Sequence, residues 1–470
     1  MNKEKKRLIR ENTNAWEGLK DHHPAIQTFS EAYKTFLDNG KTERLSVDQI
    51  VAMAELEGFK SLEHVVEKEI NLQPGDKVYA CHKGKQVVLF RMGSEDPEKG
   101  FLMVGAHVDV PRLDVKQSPL YEDGKLAFFK THYYGGVKKY QWVTLPLAIH
   151  GIVILANGGK MEISIGEDEA DPVFFITDLL PHLSREMNEK KMGEAVEGEM
   201  LNVLVGSIPI GDAEEKERFK ANVLQLLNEK YAMVEEDFIS AELEVVPAGK
   251  ARDVGFDRSM IGAYGQDDRV CAYTTLQAIF QADPIQKSIF GLFVDKEEIG
   301  SVGDTSMSSR IFENVVYEIL ERSTDKPVER VLRKALQRSK FLSADVNAAF
   351  DPNFPNTHDK RNAAYLGEGV VLTKYTGVRG KSSSNDAHAE FVGEIRRLFN
   401  GKGLPWQIGE LGKVDMGGGG TIAFIPAELG MDVVDCGIGL LSMHSPWELS
   451  SKADVYALYL AFKAFYESEL

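Results

Sequence analysis

Cysteine is scarce: Cys81, Cys271 and Cys436 are the only three in 470 residues, and no two form a C-x-x-C pair. An odd, scattered set excludes a disulfide scaffold and a cysteine-rich zinc knuckle, and it fits a reducing compartment. The expected location is the cytoplasm. Positive charge is in deficit, with 55 Lys and Arg against 72 Asp and Glu and a net charge of −17. That balance excludes a nucleic-acid surface, because phosphate binding needs clustered positive charge; the acid excess instead keeps a large protein or assembly soluble. No apolar run approaches the ~18 residues that would span a bilayer, so no membrane partner is expected. The opening "MNKEKKRLIRENTNAWEG" is basic but has no apolar stretch behind it, and does not read as a secretory signal. Low-complexity tracts and fixed-period repeats are also missing.

What is present is globular in texture: 43% hydrophobic and 27% charged residues, at a length that calls for more than one domain. Apolar positions recur at helical spacing through "IQTFSEAYKTFLDNG" and "SVDQIVAMAELEGF", where Ser46 and Asp48 have the chemistry of caps. Strands follow in "KVYAC", "KQVVLFRM" and "GFLMVGAHVDV", the last apolar enough for a buried central strand. Residues 113–254 change to β-rich segments with a charged helical insert, "DAEEKERFKANVLQLLNEKYAMVEE", and read as a module inserted into a domain made of 1–112 and 255–470. After Gly255 strands and helices alternate again, which predicts an α/β fold with a helix-flanked sheet. In such sheets the site lies at the carboxyl ends of the strands.

Candidate chemistry collects at those ends. "GAHVDV" sets His107 and Asp109 two apart, which on a strand puts imidazole and carboxylate on one face; a carboxylate holding the second ring N–H is common at metal-binding histidines. "GQDDR" puts Asp267 and Asp268 at a helix start, where one aspartate suffices as a cap and the second needs another purpose. Glu297 and Glu298 of "VDKEEIGS" follow an apolar strand, and an unpaired buried charge there is costly. Asp345 of "SADVN" ends another apolar strand and His444 follows a third. Each has an ordinary alternative: a solvated loop acid, a plain cap, a core histidine. Together, two histidines and several carboxylates without cysteine match the ligand set of a catalytic zinc or related divalent site, and their number suits two ions bridged by a carboxylate. Other features carry less. "DMGGGGTIAF" lacks the Lys-Ser/Thr of a phosphate cradle, "GKSSSNDAH" has no nucleophile elbow, and His22 and His23 receive no role.

The motifs "GAHVDVPRLDVK", "GQDDR", "DKEEIGS", "SADVNAAFDPNF" and "MHSPWE", in that order, resemble the M18 family of metallo-aminopeptidases, the group of aspartyl aminopeptidase and aminopeptidase I. The resemblance spans nearly the whole chain and implies a zinc-peptidase-like mixed sheet with an inserted dimerisation domain. It implies two divalent ions, Zn2+ first and Co2+ or Mn2+ as alternatives. His107 and Asp345 would hold one, Glu298 and His444 the other, with Asp267 bridging. Asp267 is preferred to Asp268 because nine residues separate it from Leu276, the spacing expected of the family. Asp109 would orient His107, and Glu297 would be the general base. His150 of "LPLAIHG" stands where the family lends a histidine to a neighbouring active site, with a buried structural histidine as the competing reading. The implied partners are peptides with a free N-terminus and further copies of the chain, as dimers assembling to a dodecamer. Acid-preferring members use a Lys and a Tyr near "TKYTGVRGKSSSND"; Lys374 matches the first, but Ser382 stands where the tyrosine is expected, so acidic and neutral N-terminal residues both stay open. Rival readings are a metal-dependent carboxypeptidase or N-acyl-amino-acid deacylase, and a non-catalytic assembly protein that keeps the fold.

Overall fold

The computed structural model describes residues 8–470; the first seven residues, with most of the basic opening, lie outside it. The chain divides into two units. One comprises the chain up to Asp109, Ala251–Met443 and Glu448–Leu470; the other comprises Val110–Lys250 and His444–Trp447. These limits differ by a few residues from the expected 112 and 254. At the second limit the cause is local: Arg252–Val254 is a short strand paired antiparallel with Met260–Ala263 of the first unit, and three residues carry no readable periodicity.

The first unit is built on a nine-stranded sheet in the order Lys60–Ser61, Lys77–His82, Gln86–Arg91, Ile289–Val294, Leu102–His107, Lys340–Ser343, Asp432–Gly437, Val370–Thr373, Trp406–Ile408. The four strands from Ile289–Val294 to Asp432–Gly437 run parallel, and their outer neighbours Gln86–Arg91 and Val370–Thr373 run antiparallel to them. Helices cover both faces, which is why these strands are continuous apolar runs. The alternation of side chains along a strand divides "IFGLFV" between two cores. Ile289 and Phe293 join the cluster with the helices His23–Asn39, Gln266–Gln281 and Lys452–Tyr466, whereas Phe290, Leu292 and Val294 join the one with Ile311–Glu321 and Val328–Gln337.

Phe290 shows how tightly the second core is filled: fully buried, its ring lies 4.7 Å from that of Phe90 and 5.1 Å from that of Phe101, centroid to centroid. Phe290→Ala should therefore cost about 3–5 kcal/mol, read as a lowered denaturant midpoint at unchanged slope. At the amino end, the cap of helix Glu43–Leu56 is Thr42 rather than Ser46 or Asp48: Thr42 Oγ1 accepts the Leu45 N–H, while Ser46 lies inside the helix and donates to the Gly40 carbonyl at 2.8 Å.

The second unit is a six-stranded antiparallel sheet in the order Lys160–Ile165, Leu147–Ile154, Glu242–Pro247, Arg112–Asp123, Leu126–Tyr134, Val203–Gly206. The charged insert forms the helix Arg218–Tyr231, packed on the last three of these strands. Among the described residues no helix is long and apolar enough to cross a membrane.

Candidate active site

The parallel strands deliver their residues to one edge. Val294 lies opposite His107 in register and Ser343 opposite Gly105, so Glu297, Glu298 and Asp345 leave the sheet beside the end of the strand that His107 closes. At Asp345 this needs a glycine next door: a Cβ on Gly437 would stand 1.9 Å from the Asp345 carbonyl oxygen, closer than atoms allow.

Asp109 does more than its spacing predicts, and by another route. The strand ends at His107, so the shared-face argument does not apply. Instead the chain turns, bringing the Asp109 carbonyl to 2.9 Å from His107 Nδ1 and its Oδ1 to 3.4 Å. The Asp109 carboxylate also accepts the backbone N–H groups of Glu297 and Glu298, at 3.1 and 3.2 Å. One buried anion thus ties the histidine to the glutamate pair.

That pair sits in a single helical turn, Glu297–Ile299, entered through Lys296 at φ +69°. The turn is pinned from behind. Asp295 Oδ2 accepts Thr305 Oγ1–H at 2.5 Å, the Asp295 N–H donates to the Thr305 carbonyl, and the Ser301 N–H donates to the Lys296 carbonyl at 2.7 Å. Asp267 and Asp268 are equally constrained. Their dihedrals (φ −80°, ψ 107° and φ −114°, ψ 26°) are not helical although they open the helix Gln266–Gln281, and the peptide joining them is cis. Asp268 Oδ2 accepts the His107 N–H at 3.4 Å.

Two donor groups result. One ligand atom each from His107, Asp267 and Glu298 lies within 4.8 Å of the others, and so does one each from Asp267, Asp268 and Asp345. Asp267 belongs to both. The first group sets His107 with Glu298 and the second sets Asp345 with the two aspartates, which brings in Asp268, a residue that had no role. Glu297 belongs to neither group, with Oε2 4.0 Å from His107 Nε2, while Asp267 Oδ1 is 3.3 Å from that nitrogen. His444 also belongs to neither; it falls in the stretch counted with the second unit, with Nδ1 3.1 Å from the Gly136 carbonyl oxygen. His150 is buried on the strand Leu147–Ile154, with Nε2 2.9 Å from Glu167 Oε1 and Nδ1 3.2 Å from Ser164 Oγ.

The electrostatics call for a cation. Burial, then neighbouring anions with Asp268 first, pushes the Asp345 carboxyl well above the usual range. Asp268 is likewise raised, by burial first and then by Asp267 against the opposing charge of His107. For His107 burial disfavours protonation, but hydrogen bonds with Asp109 and Asp267 prevail and lift it well above an ordinary imidazole. Among the described residues no donor reaches the buried Asp268 Oδ1. A compact set of carboxylates with one imidazole fits a divalent ion such as zinc, cobalt or manganese.

Sequence reasoning missed Thr305 as a brace and Glu448 as an acceptor for Asp267. Glu448 closes "MHSPWE", so its position was in view; its partner, 181 residues away, was not.

The family profile described as "Aminopeptidase I zinc metalloprotease (M18)" matches residues 36–466. A "Probable M18 family aminopeptidase 1" from Clostridium acetobutylicum is 52% identical over 459 residues, covering 97% of this chain and 98% of that protein. The crystal structure of an M18 family aminopeptidase from Thermotoga maritima superposes with a TM-score of 0.92 at 48% identity, over 98% of this chain and all of the other. An S. cerevisiae mApe1 dodecamer shares the fold at a TM-score of 0.76 and 20% identity, over 95% and 97% of the two chains.

Proposed function

The chain belongs to the M18 family of zinc metallo-aminopeptidases and is a metal-dependent aminopeptidase; from that premise we propose that His107, Asp267, Glu298, Asp345 and His444 hold two divalent ions, zinc first, with Asp267 shared between them. The observation that carries this reading is the membership of Asp267 in both donor groups. Asp268 lies against the same centre as a second carboxylate. Divalent ions held there supply Lewis acidity toward the scissile carbonyl and lower the pKa of the attacking water. Asp109 orients the His107 ring and fixes the glutamate turn. Glu297, outside both groups, takes the proton of the attacking water and returns it to the departing amine. The adjacent glutamates divide these tasks because a ligand must stay ionised, whereas a base must exchange protons.

The substrates are peptides with a free N-terminus. Lys374, the candidate for reading an acidic side chain, is already paired: Asp386 accepts from Lys374 Nζ at 2.8 Å and from Lys381 Nζ at 2.9 Å. That pairing, with Ser382 in place of a tyrosine, favours neutral N-terminal residues. The test is turnover of free-amino and acetylated peptides, with and without a chelator, across acidic and neutral first residues. Cleavage of free-amino substrates alone, abolished by chelation and fastest on neutral residues, is expected. Cleavage of the acetylated peptides would instead support a deacylase or carboxypeptidase.

The inserted unit mediates dimerisation, and dimers assemble toward a dodecamer; the dodecameric fold relative supports this. His150 donates to the oxyanion in a neighbouring subunit. His150→Ala is expected to lose turnover while light scattering still reports the parent assembly, and full turnover in the assembled variant would remove that role. Three widely spaced cysteines, one exposed and two buried, support a cytoplasmic location.

A further inference from the structure

We infer that Glu448 is a positioning residue which, by holding the main-chain N–H groups of Gln266 and Asp267, fixes the direction in which the Asp267 carboxylate enters the two donor groups; this rests on Asp267 being the shared ligand. A residue that opens a helix ordinarily turns its side chain back to cap the first N–H groups. Here the residue at that position is Gly265, which has no side chain and makes no such cap, so the chain needs an acceptor from elsewhere for the N–H groups of that turn. Glu448 Oε2 supplies it, accepting the Gln266 N–H at 2.5 Å and the Asp267 N–H at 3.1 Å.

Glu448 is itself held on every side the argument needs. It is 1% exposed and faces Ala263 across an antiparallel pair. Its carbonyl accepts Gln266 Nε2–H at 2.7 Å, a nitrogen that also reaches the Ile261 carbonyl, while Ser450 Oγ–H donates to Gln266 Oε1 at 2.5 Å. Gln266 thereby clips the strand carrying Glu448 to the strand leading into Asp267. The next residue but one, Arg269, is a fully buried cation within Coulombic reach of Glu448, which offsets burying the carboxylate. Its guanidinium donates to the carbonyls of Leu37, Gly40, Tyr264 and Gly265, anchoring the far side of the same turn. Glu448 therefore does for Asp267 what Asp109 does for Glu297 and Glu298: a buried carboxylate outside the donor groups grips the backbone of a ligand.

Two variants separate geometry from charge in the full-length protein. Glu448→Gln keeps an acceptor oxygen at full reach without the charge; Glu448→Asp keeps the charge one methylene short. Zinc affinity of the metal-stripped protein is read by competition with a chromogenic chelator, with kcat and KM measured at saturating zinc. Glu448→Asp is expected to bind zinc about 10–100-fold more weakly, the range for residues that orient ligands, with kcat lowered more than KM is changed, whereas Glu448→Gln stays close to the parent. Parent-like affinity in Glu448→Asp, or equal weakening in both variants, overturns the proposal. Asp267→Asn is run alongside: if it retains parent affinity, the reading of Asp267 as a ligand fails; if it loses zinc while Glu448→Asp does not, only the role of Glu448 fails.

Discussion

Glu297→Gln is expected to lower kcat by about 10²–10⁴-fold, the contribution of a positioned general base, while metal content stays at the parent value. The substitution keeps the shape of the side chain and leaves the backbone N–H that donates to Asp109. It removes only the ability to accept a proton. The expectation follows from placement: Glu297 stands beside His107 but shares no donor group with it, whereas Glu298, the next residue, does. Initial rates on an aminoacyl chromogenic substrate, with metal analysis of the same samples, check it. A variant that loses metal together with activity would make Glu297 a ligand, and one that keeps full activity would leave the base unassigned.

Asp267→Asn should be the most damaging change at the donor groups themselves, because it replaces the one carboxylate common to both with a neutral amide that keeps a single oxygen. Losing several kcal/mol of Lewis-acid stabilisation, at 1.36 kcal/mol per decade, amounts to roughly a 10³-fold or greater fall in kcat/KM. The variant also has a signature that does not depend on catalysis. The charge of Asp267 helps raise the carboxyls of Asp268 and Asp345, so replacing it with a neutral amide relieves repulsion in the metal-free protein. Added zinc, which stabilises only by binding the folded state, should then raise the melting temperature of the variant far less than that of the parent. Thermal unfolding with and without zinc measures the difference, and equal zinc-induced shifts would refute the shared-ligand reading.

The strand ends were legible because hydrophobicity stops abruptly there. "SIFGLFV" and "KFLSA" are apolar on both faces, so the acidic residues that follow them had to lie at the sheet edge, where Asp295 braces the turn and Glu297, Glu298 and Asp345 are found. The doubled aspartate was legible as a surplus over capping, though not in detail: which donor sits with which depends on side-chain directions set by the turns at Lys296 and at Asp267–Asp268, where the backbone leaves helical or extended geometry. At His107 and Asp109 the spacing pointed to the right neighbours for the wrong reason: the strand ends at His107, two residues before Asp109, and a turn rather than alternation brings them together. Glu448 could not be paired with Asp267 from sequence because the link passes through strand pairing between segments far apart in the chain. The three-residue strand Arg252–Val254 and the return of residues 444–447 to the second unit were likewise beyond any periodic signal.

The central claim is that two ions meet at one aspartate. Diffraction from zinc-loaded crystals at the zinc absorption edge tests it most directly. The account expects two anomalous peaks about 3.5–4 Å apart, as in two-metal hydrolytic sites, both in contact with the Asp267 carboxylate and neither with Glu297. A single peak, or a pair that Asp267 does not touch, would contradict it.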